Sequence, residues 1–182
     1  DLNAIKNAVT DKTKMIYCET ISNPLLEIAD IPSIAKIAGK NKIKLVVDNT
    51  FAPMIVSPKR LGADIVIHSM TKYINGTSDC VAGCICSDHD FISSLNDVNS
   101  GASMLLGAVL DSFRAASTLK NLHSLHLRMQ KHSKNAAYFA DRFKKLGLTT
   151  YYPGFKEHKQ YKLLKSFMNE GFGFGGMVAV DI

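Results

Sequence analysis

The sequence predicts an α/β fold in which a mostly parallel sheet is sandwiched by helices. Three observations carry that prediction. Apolar runs at Lys14–Thr20, Lys44–Asp48 and Ala63–His68 have strand length and are bounded by turn residues. An amphipathic stretch, Ile31 to Asn41, separates the first two runs, as a βαβ unit requires. Each run ends in polar side chains, Glu19 and Asn23, then Asp48, then Ser69, Thr71 and Lys72. Ligands of such sheets collect at the carboxyl ends of the strands.

Taken in order, Leu2, Ile5 and Val9 have helical spacing, and Thr10-Asp-Lys-Thr13 stops them. The first strand turns at Asn23-Pro24, a reversal with polar residues at its lip. Asp30 is suited to cap the following helix, with Pro32 in its first turn and a stripe of Ile31, Ile34, Ala35, Ile37 and Ala38. Phe51 to Arg60 reads as a loop or short helix leading to the third strand. Asn75-Gly76 then turns the chain into the apolar run Cys80–Cys86. Asp88 to Leu95 reads as helix, Met104 to Leu119 as a weaker one, and Leu122 to Leu146 as a long basic amphipathic helix ended by Gly147. Beyond it are a turn at Tyr151–Gly154, a short helix at Tyr161–Asn169 and a strand at Gly175–Ile182. The change of style near Gly147 divides the chain into residues 1–146, the central part of a large domain, and 147–182, the beginning of a second. Both ends have the look of cuts within a longer protein.

Composition narrows the function. The chain is 182 residues long, 46% hydrophobic and 21% charged, which suits one sizeable globular core. No apolar run nears the roughly 20 residues that span a bilayer. The net charge of +6 is spread along the chain without Arg-rich, aromatic-interleaved segments, which argues against nucleic acid. Its four cysteines, Cys18, Cys80, Cys84 and Cys86, lack zinc spacing and fit a reduced, cytoplasmic setting as small apolar residues. His68 reads as a satisfied core histidine. His123, His126 and His132 fall on the basic helix, at surface or interface positions. The run Gly171-x-Gly-x-Gly-Gly176 precedes a strand, not a helix, so it is no nucleotide loop.

One strand ending in a lysine beside another ending in an aspartate suggests a pyridoxal 5'-phosphate site. Such a site needs a lysine whose amine is partly desolvated. It needs an anion for the pyridine nitrogen, donors for the phosphate and a group near the ring oxygen. Lys72, Asp48, Ser69 with Thr71, and Asn23 match those needs in order. Singly, each has a plainer role. Asp48 can cap the next turn, and Ser69 and Thr71 can bond local backbone.

Val47-Asp-Asn-Thr-Phe-Ala-Pro53 and Leu61-Gly-Ala-Asp-Ile-Val-Ile-His-Ser-Met-Thr-Lys-Tyr-Ile-Asn-Gly76 together resemble the trans-sulfuration (Cys/Met metabolism) family of PLP-dependent enzymes. The likeness continues through Glu19-Thr-x-x-Asn-Pro24, Leu127-Arg-Met-x-x-His132, Tyr152-Pro-Gly154 and Phe174-Gly-Gly-Met177. It implies the fold of the aspartate aminotransferase superfamily, with Lys72 as the Schiff-base lysine and Asp48 paired with the pyridinium. It also implies that Ser69 and Thr71 reach the phosphate and that Asn23 lies near the ring oxygen. No metal is implied, and the expected assembly is a homotetramer built from dimers.

Asp48-Asn-Thr-Phe-Ala-Pro-Met-x-x-Ser-Pro58 and Ser103-Met-Leu-Leu-Gly107 look most like the plant-type methionine γ-lyases of that family. Cystathionine γ-lyase, cystathionine γ-synthase and O-acetylhomoserine sulfhydrylase stay open, because they share the early chemistry. Met70 between Ser69 and Thr71, Thr77-Ser78 in the turn and Lys120-Asn121 before the long helix depart from the usual pattern. By the resemblance, the ring-stacking aromatic and main phosphate turn precede residue 1, and the carboxylate-binding arginine follows Ile182. A non-catalytic α/β scaffold is the alternative from another class. A lysine-centred oxidoreductase would need a Gly-rich dinucleotide loop that the chain lacks.

Overall fold

In the computed structural model, which describes residues 1–182, parallel pairing brings the three predicted strand ends to one edge. Helix α1 (Leu2–Ala8) begins at Asp1, whose carboxylate accepts from the Asn3 amide at 2.8 Å. Strand β1 (Met15–Glu19), helix α2 (Ile31–Lys40) and strand β2 (Lys44–Asp48) form the expected βαβ unit. Asp30 caps α2 by accepting from Ser33 N at 3.1 Å, and Ile31, Ile34, Ile37 and Ala38 are its buried stripe. Strand β3 (Ile65–Ser69) continues the parallel sheet, and β4 (Gly83–Cys86) closes it antiparallel, giving the order β1-β2-β3-β4. Glu19 stands beside Asp48, and Asp48 beside Ile67.

Alternation then separates the two faces of the sheet. Leu45, Val47 and Val66 point into the main core with Ile31, Ile34 and Ala38 of α2. The long helix α6 (Leu125–Lys145) adds Leu125 and Met129 to that core, and α7 (Tyr161–Phe167) adds Leu164. Asp48 and Ser69 belong to the opposite face, where Met15, Tyr17 and Ile85 remain exposed. The expected mostly parallel sheet flanked by helices is present. Within this chain its core-forming helices sit on one face, because α3 (His89–Leu95) and α4 (Ala102–Leu106) bury no residue and α5 (Ser112–Leu122) buries only Thr118.

The helices between residues 102 and 145 differ from the sequence reading by more than a frayed end. The predicted helix Met104 to Leu119 is two, because Gly107 takes a left-handed φ of 66° and Asp111 caps a new start by accepting from Arg114 N at 3.0 Å. Leu122 closes α5, so the long helix begins three residues later than expected. A short strand β5 (Thr149–Tyr151) was not anticipated, and it pairs antiparallel with β6 (Ala179–Asp181). Three residues are too few to show a period-2 pattern.

The segment after Gly147, which carries β5 and β6, is fastened to the loops that follow β1 and β2. Gln160 imitates a strand neighbour, receiving Ile28 N–H at 2.9 Å and donating to Ile28 C=O at 2.6 Å. Asn169 donates from its side chain to Met54 O at 2.8 Å. Leu164, fully buried, supplies the apolar part of this docking. Leu164→Ala removes those contacts and leaves a cavity, so a loss of about 2–5 kcal/mol is expected in urea unfolding. An unchanged midpoint would show that the segment is not seated on the core.

Candidate active site

A buried polar knot fixes the carboxyl edge of the sheet. Asn49, the residue after β2, donates its N–H to Ile67 O of β3 at 2.8 Å. Its side-chain oxygen accepts from the Thr20 hydroxyl at 2.8 Å, and its amide donates to Ala52 O and Val56 O at 3.2 and 3.0 Å. Thr20 and Asn49 are almost fully buried, so each of these bonds satisfies a group that water cannot reach. The loops that follow β1 and β2 therefore leave the sheet in fixed directions.

Asp48 is half-buried on this edge, facing away from the core. One carboxylate oxygen accepts from Thr50 N at 2.8 Å, so Asp48 does cap the next turn. The other accepts from the Tyr17 hydroxyl of β1 at 3.1 Å. Partial burial, and then the adjacent Asp48 charge, push the Tyr17 phenol up to about 12. Two residues past Asp48, Thr50 receives Ser69 N–H on its hydroxyl oxygen at 2.8 Å, which leaves the Thr50 proton free to donate. Ser69, two residues past the neighbour of Asp48, shares its face of the sheet.

The chain then winds through a single π-type turn, Met70–Ile74, interrupted at Lys72 by a non-helical φ/ψ of −89°/−123°. Lys72 is exposed at this kink. The shelter expected for its amine is therefore not supplied by these residues. Thr71 is fully engaged locally, since its hydroxyl donates to Ala82 O at 3.2 Å and accepts from Ala82 N at 3.0 Å. Offering a proton to an anion requires that rotor to swing from Ala82. Asn23 is exposed in the loop after β1, where its N–H meets Glu19 Oε2 at 3.2 Å. The structure brings Asp48, Ser69, Thr71 and Lys72 to adjoining strand ends, with Asn23 one strand further across.

Other candidates fall away from this edge. His68 points to the core face, opposite Asp48. It is not fully satisfied as expected, because its buried Nδ1 has no partner, and burial lowers its pKa. Burial pushes the Cys18 and Cys84 thiols up to about 11, so both behave as apolar residues. No group of three or more His, Cys, Asp or Glu side chains is placed to hold a metal ion. No helix is long and apolar enough to cross a membrane. Sequence reasoning passed over Tyr17 and Thr50. The even spacing of Tyr17 and Glu19 puts them on one strand face, but only the register shows that this face meets Asp48.

An amine on a kinked turn, a carboxylate on the adjoining strand and hydroxyls between them make a donor set that fits pyridoxal phosphate. The fold is of the α/β class, with that donor set along the carboxyl edge of its sheet. All of residues 1–182 match the family model described as Cys/Met metabolism PLP-dependent enzyme, and the chain belongs to that family. It is 39% identical over 183 residues to the methionine γ-lyase of Arabidopsis thaliana, covering 100% of this chain and 42% of that protein. It is 42% identical over 182 residues to the cystathionine γ-lyase of Dictyostelium discoideum, covering 97% and 45%. A crystal structure of cystathionine γ-lyase from Lactobacillus plantarum, complexed with L-serine, superimposes with a TM-score of 0.90 at 35% identity, covering 100% of this chain and 47% of that one. The chain spans about half the length of the curated relatives it matches.

The Tyr17–Asp48 contact can be read in solution. In Asp48→Asn the phenol loses its charged neighbour but not its partial burial, so its titration should move part of the way from about 12 back toward 10.0. An alkaline ultraviolet difference titration against the parent protein measures this. Identical curves would mean that Tyr17 does not face Asp48.

Proposed function

We propose that the whole protein is a PLP-dependent carbon–sulfur lyase acting on a sulfur amino acid, with methionine γ-cleavage as its reaction. The observation that carries this is that Asp48 ends β2 while Lys72 lies in the turn that follows the adjoining strand β3, on the sheet edge where ligands of α/β folds bind. When bound, pyridoxal phosphate supplies an electron sink for the carbanion formed next to the substrate amine. Lys72 would hold the cofactor covalently through its Nζ. The same Nζ would take the proton from the substrate α-carbon and move one at the β-carbon. Asp48 would hold the proton of the ring nitrogen, as a carboxylate whose oxygens keep acceptor capacity beyond their Thr50 and Tyr17 contacts. Ser69 and Thr50 would offer hydroxyl donors to the phosphate, Thr71 would join them once its rotor leaves Ala82, and Asn23 would serve the ring oxygen. The γ-carbon–sulfur bond breaks, and addition of water leaves methanethiol, 2-oxobutanoate and ammonia.

Methionine as substrate is supported by full coverage against the Arabidopsis methionine γ-lyase and by the sequence pattern at Asp48–Pro58. The cystathionine γ-lyase of Dictyostelium is similar to a comparable degree and supports cystathionine as the second reading. A cytoplasmic setting is supported by four free cysteines. Assembly as a homotetramer built from dimers is supported by Leu106, Val109 and Phe113, apolar side chains left more than four-fifths exposed around α4 and α5. Residues 1–146 serve as the central part of the cofactor domain and 147–182 as the start of the next.

Lys72→Ala in the whole protein should abolish the visible absorbance of covalently held cofactor. A persistent band in a folded variant would sink the assignment. Asp48→Asn should keep the cofactor while lowering turnover by on the order of a hundredfold or more. Product analysis with methionine and with cystathionine decides the substrate. Faster release of cysteine from cystathionine than of methanethiol from methionine would replace the first reading with the second.

A further inference from the structure

We propose that Arg128 is a positioning residue for Lys72, holding the turn after it so that the amine leaves the sheet edge in one direction. The proposal rests on Lys72 being the cofactor lysine. The turn Met70–Ile74 ends without a helix to continue it, and its last carbonyls lack the partners a longer helix would give. Met70 O and Lys72 O are taken by Asn75 N and Gly76 N at 2.9 and 2.8 Å. The two carbonyls that follow Lys72 are taken by α6. Arg128 Nη1 donates to Tyr73 O, and Nη2 donates to Ile74 O at 3.0 Å. The same guanidinium donates from Nη2 to Asn121 O at 3.1 Å and from Nε to Ser124 Oγ at 3.0 Å. Its planar fork thus ties the lysine turn to the α5–α6 junction.

Three neighbours show that the turn is built around this fork. Gly76 has φ +77°, and a Cβ there would run into Arg128 Nη1. Asn75 is buried, donates to Asp79 Oδ1 at 2.7 Å and accepts from Asn121 Nδ2 at 2.9 Å. One helical turn beyond Arg128, His132 meets the Tyr73 ring edge-on with centroids 5.3 Å apart. Lys72 itself makes no ion pair, so its direction is set by the backbone on which these side chains act.

The test is Arg128→Lys in the whole protein, which keeps the charge and removes the fork. The pH midpoint of the bound cofactor's visible absorbance should shift by about half a unit or more. kcat should fall roughly tenfold to a hundredfold with KM within about twofold. In the cofactor-free protein, amide exchange at residues 73–76 should accelerate. Gly76→Ala, which displaces the guanidinium, should reproduce the midpoint shift. Wild-type midpoint, exchange and kcat with only a lowered melting temperature would overturn the proposal, leaving Arg128 a stability residue. Covalent trapping of cofactor by borohydride in Lys72→Ala would overturn the reading of Lys72 instead.

Discussion

The hydrogen bond between Thr20 and Asn49 is the constraint on which the sheet edge depends. Two strands that end in polar residues need something to stop those ends from drifting apart. A buried hydroxyl–amide pair does this better than an apolar contact, because it has direction and is expensive to break away from water. Asn49 also reaches β3 through its backbone and the next loop through its amide. Asp48 and Thr50 on either side of it inherit fixed positions. The chemistry is carried by the neighbours of Asn49, whereas their placement is carried by Asn49 itself.

The sheet is asymmetric in a way that matches this division. Its core face holds α2, α6 and α7 and supplies the stability, with Leu45, Val47 and Val66 against isoleucines of the first crossover helix. Its other face carries Asp48, Ser69 and the exposed Tyr17 and Met15. Rigid packing on one side leaves the other side free for ligand and further protein surface. The exposure of Lys72 belongs to the same picture, since one packed layer cannot also desolvate an amine pointing away from it.

Much of this architecture was legible because it rests on local signals. Apolar runs of strand length, Asp30 with Pro32 at a helix start and Gly147 after a long amphipathic stretch each have a single physical reading. The strand-end position of Asp48, Ser69 and Lys72 followed from the same runs. What was not legible depends on register and on long-range pairing. Tyr17 meets Asp48 only because β1 and β2 pair in one particular register. Thr50 and Thr71 have partners 19 and 11 residues away that no periodicity announces. The split between α4 and α5 was missed because Gly107 sits in a sequence otherwise compatible with continuous helix. The family resemblance supplied roles for five residues; it took in Arg128 within Leu127-Arg-Met-x-x-His132 but gave it no role, since its work is done on backbone carbonyls.

The reach of Arg128 back to Tyr73 and Ile74 also sets an order of events. The bonds span 55 and 54 residues. They cannot form until α6 has been synthesised, wound and laid across the turn. β1, β2 and β3 can associate earlier, because their contacts close shorter loops. A folding chain therefore owns a sheet edge before it owns an aimed lysine. The nascent protein passes through a stage in which the amine is present but undirected, and the docking of a distant helix ends that stage.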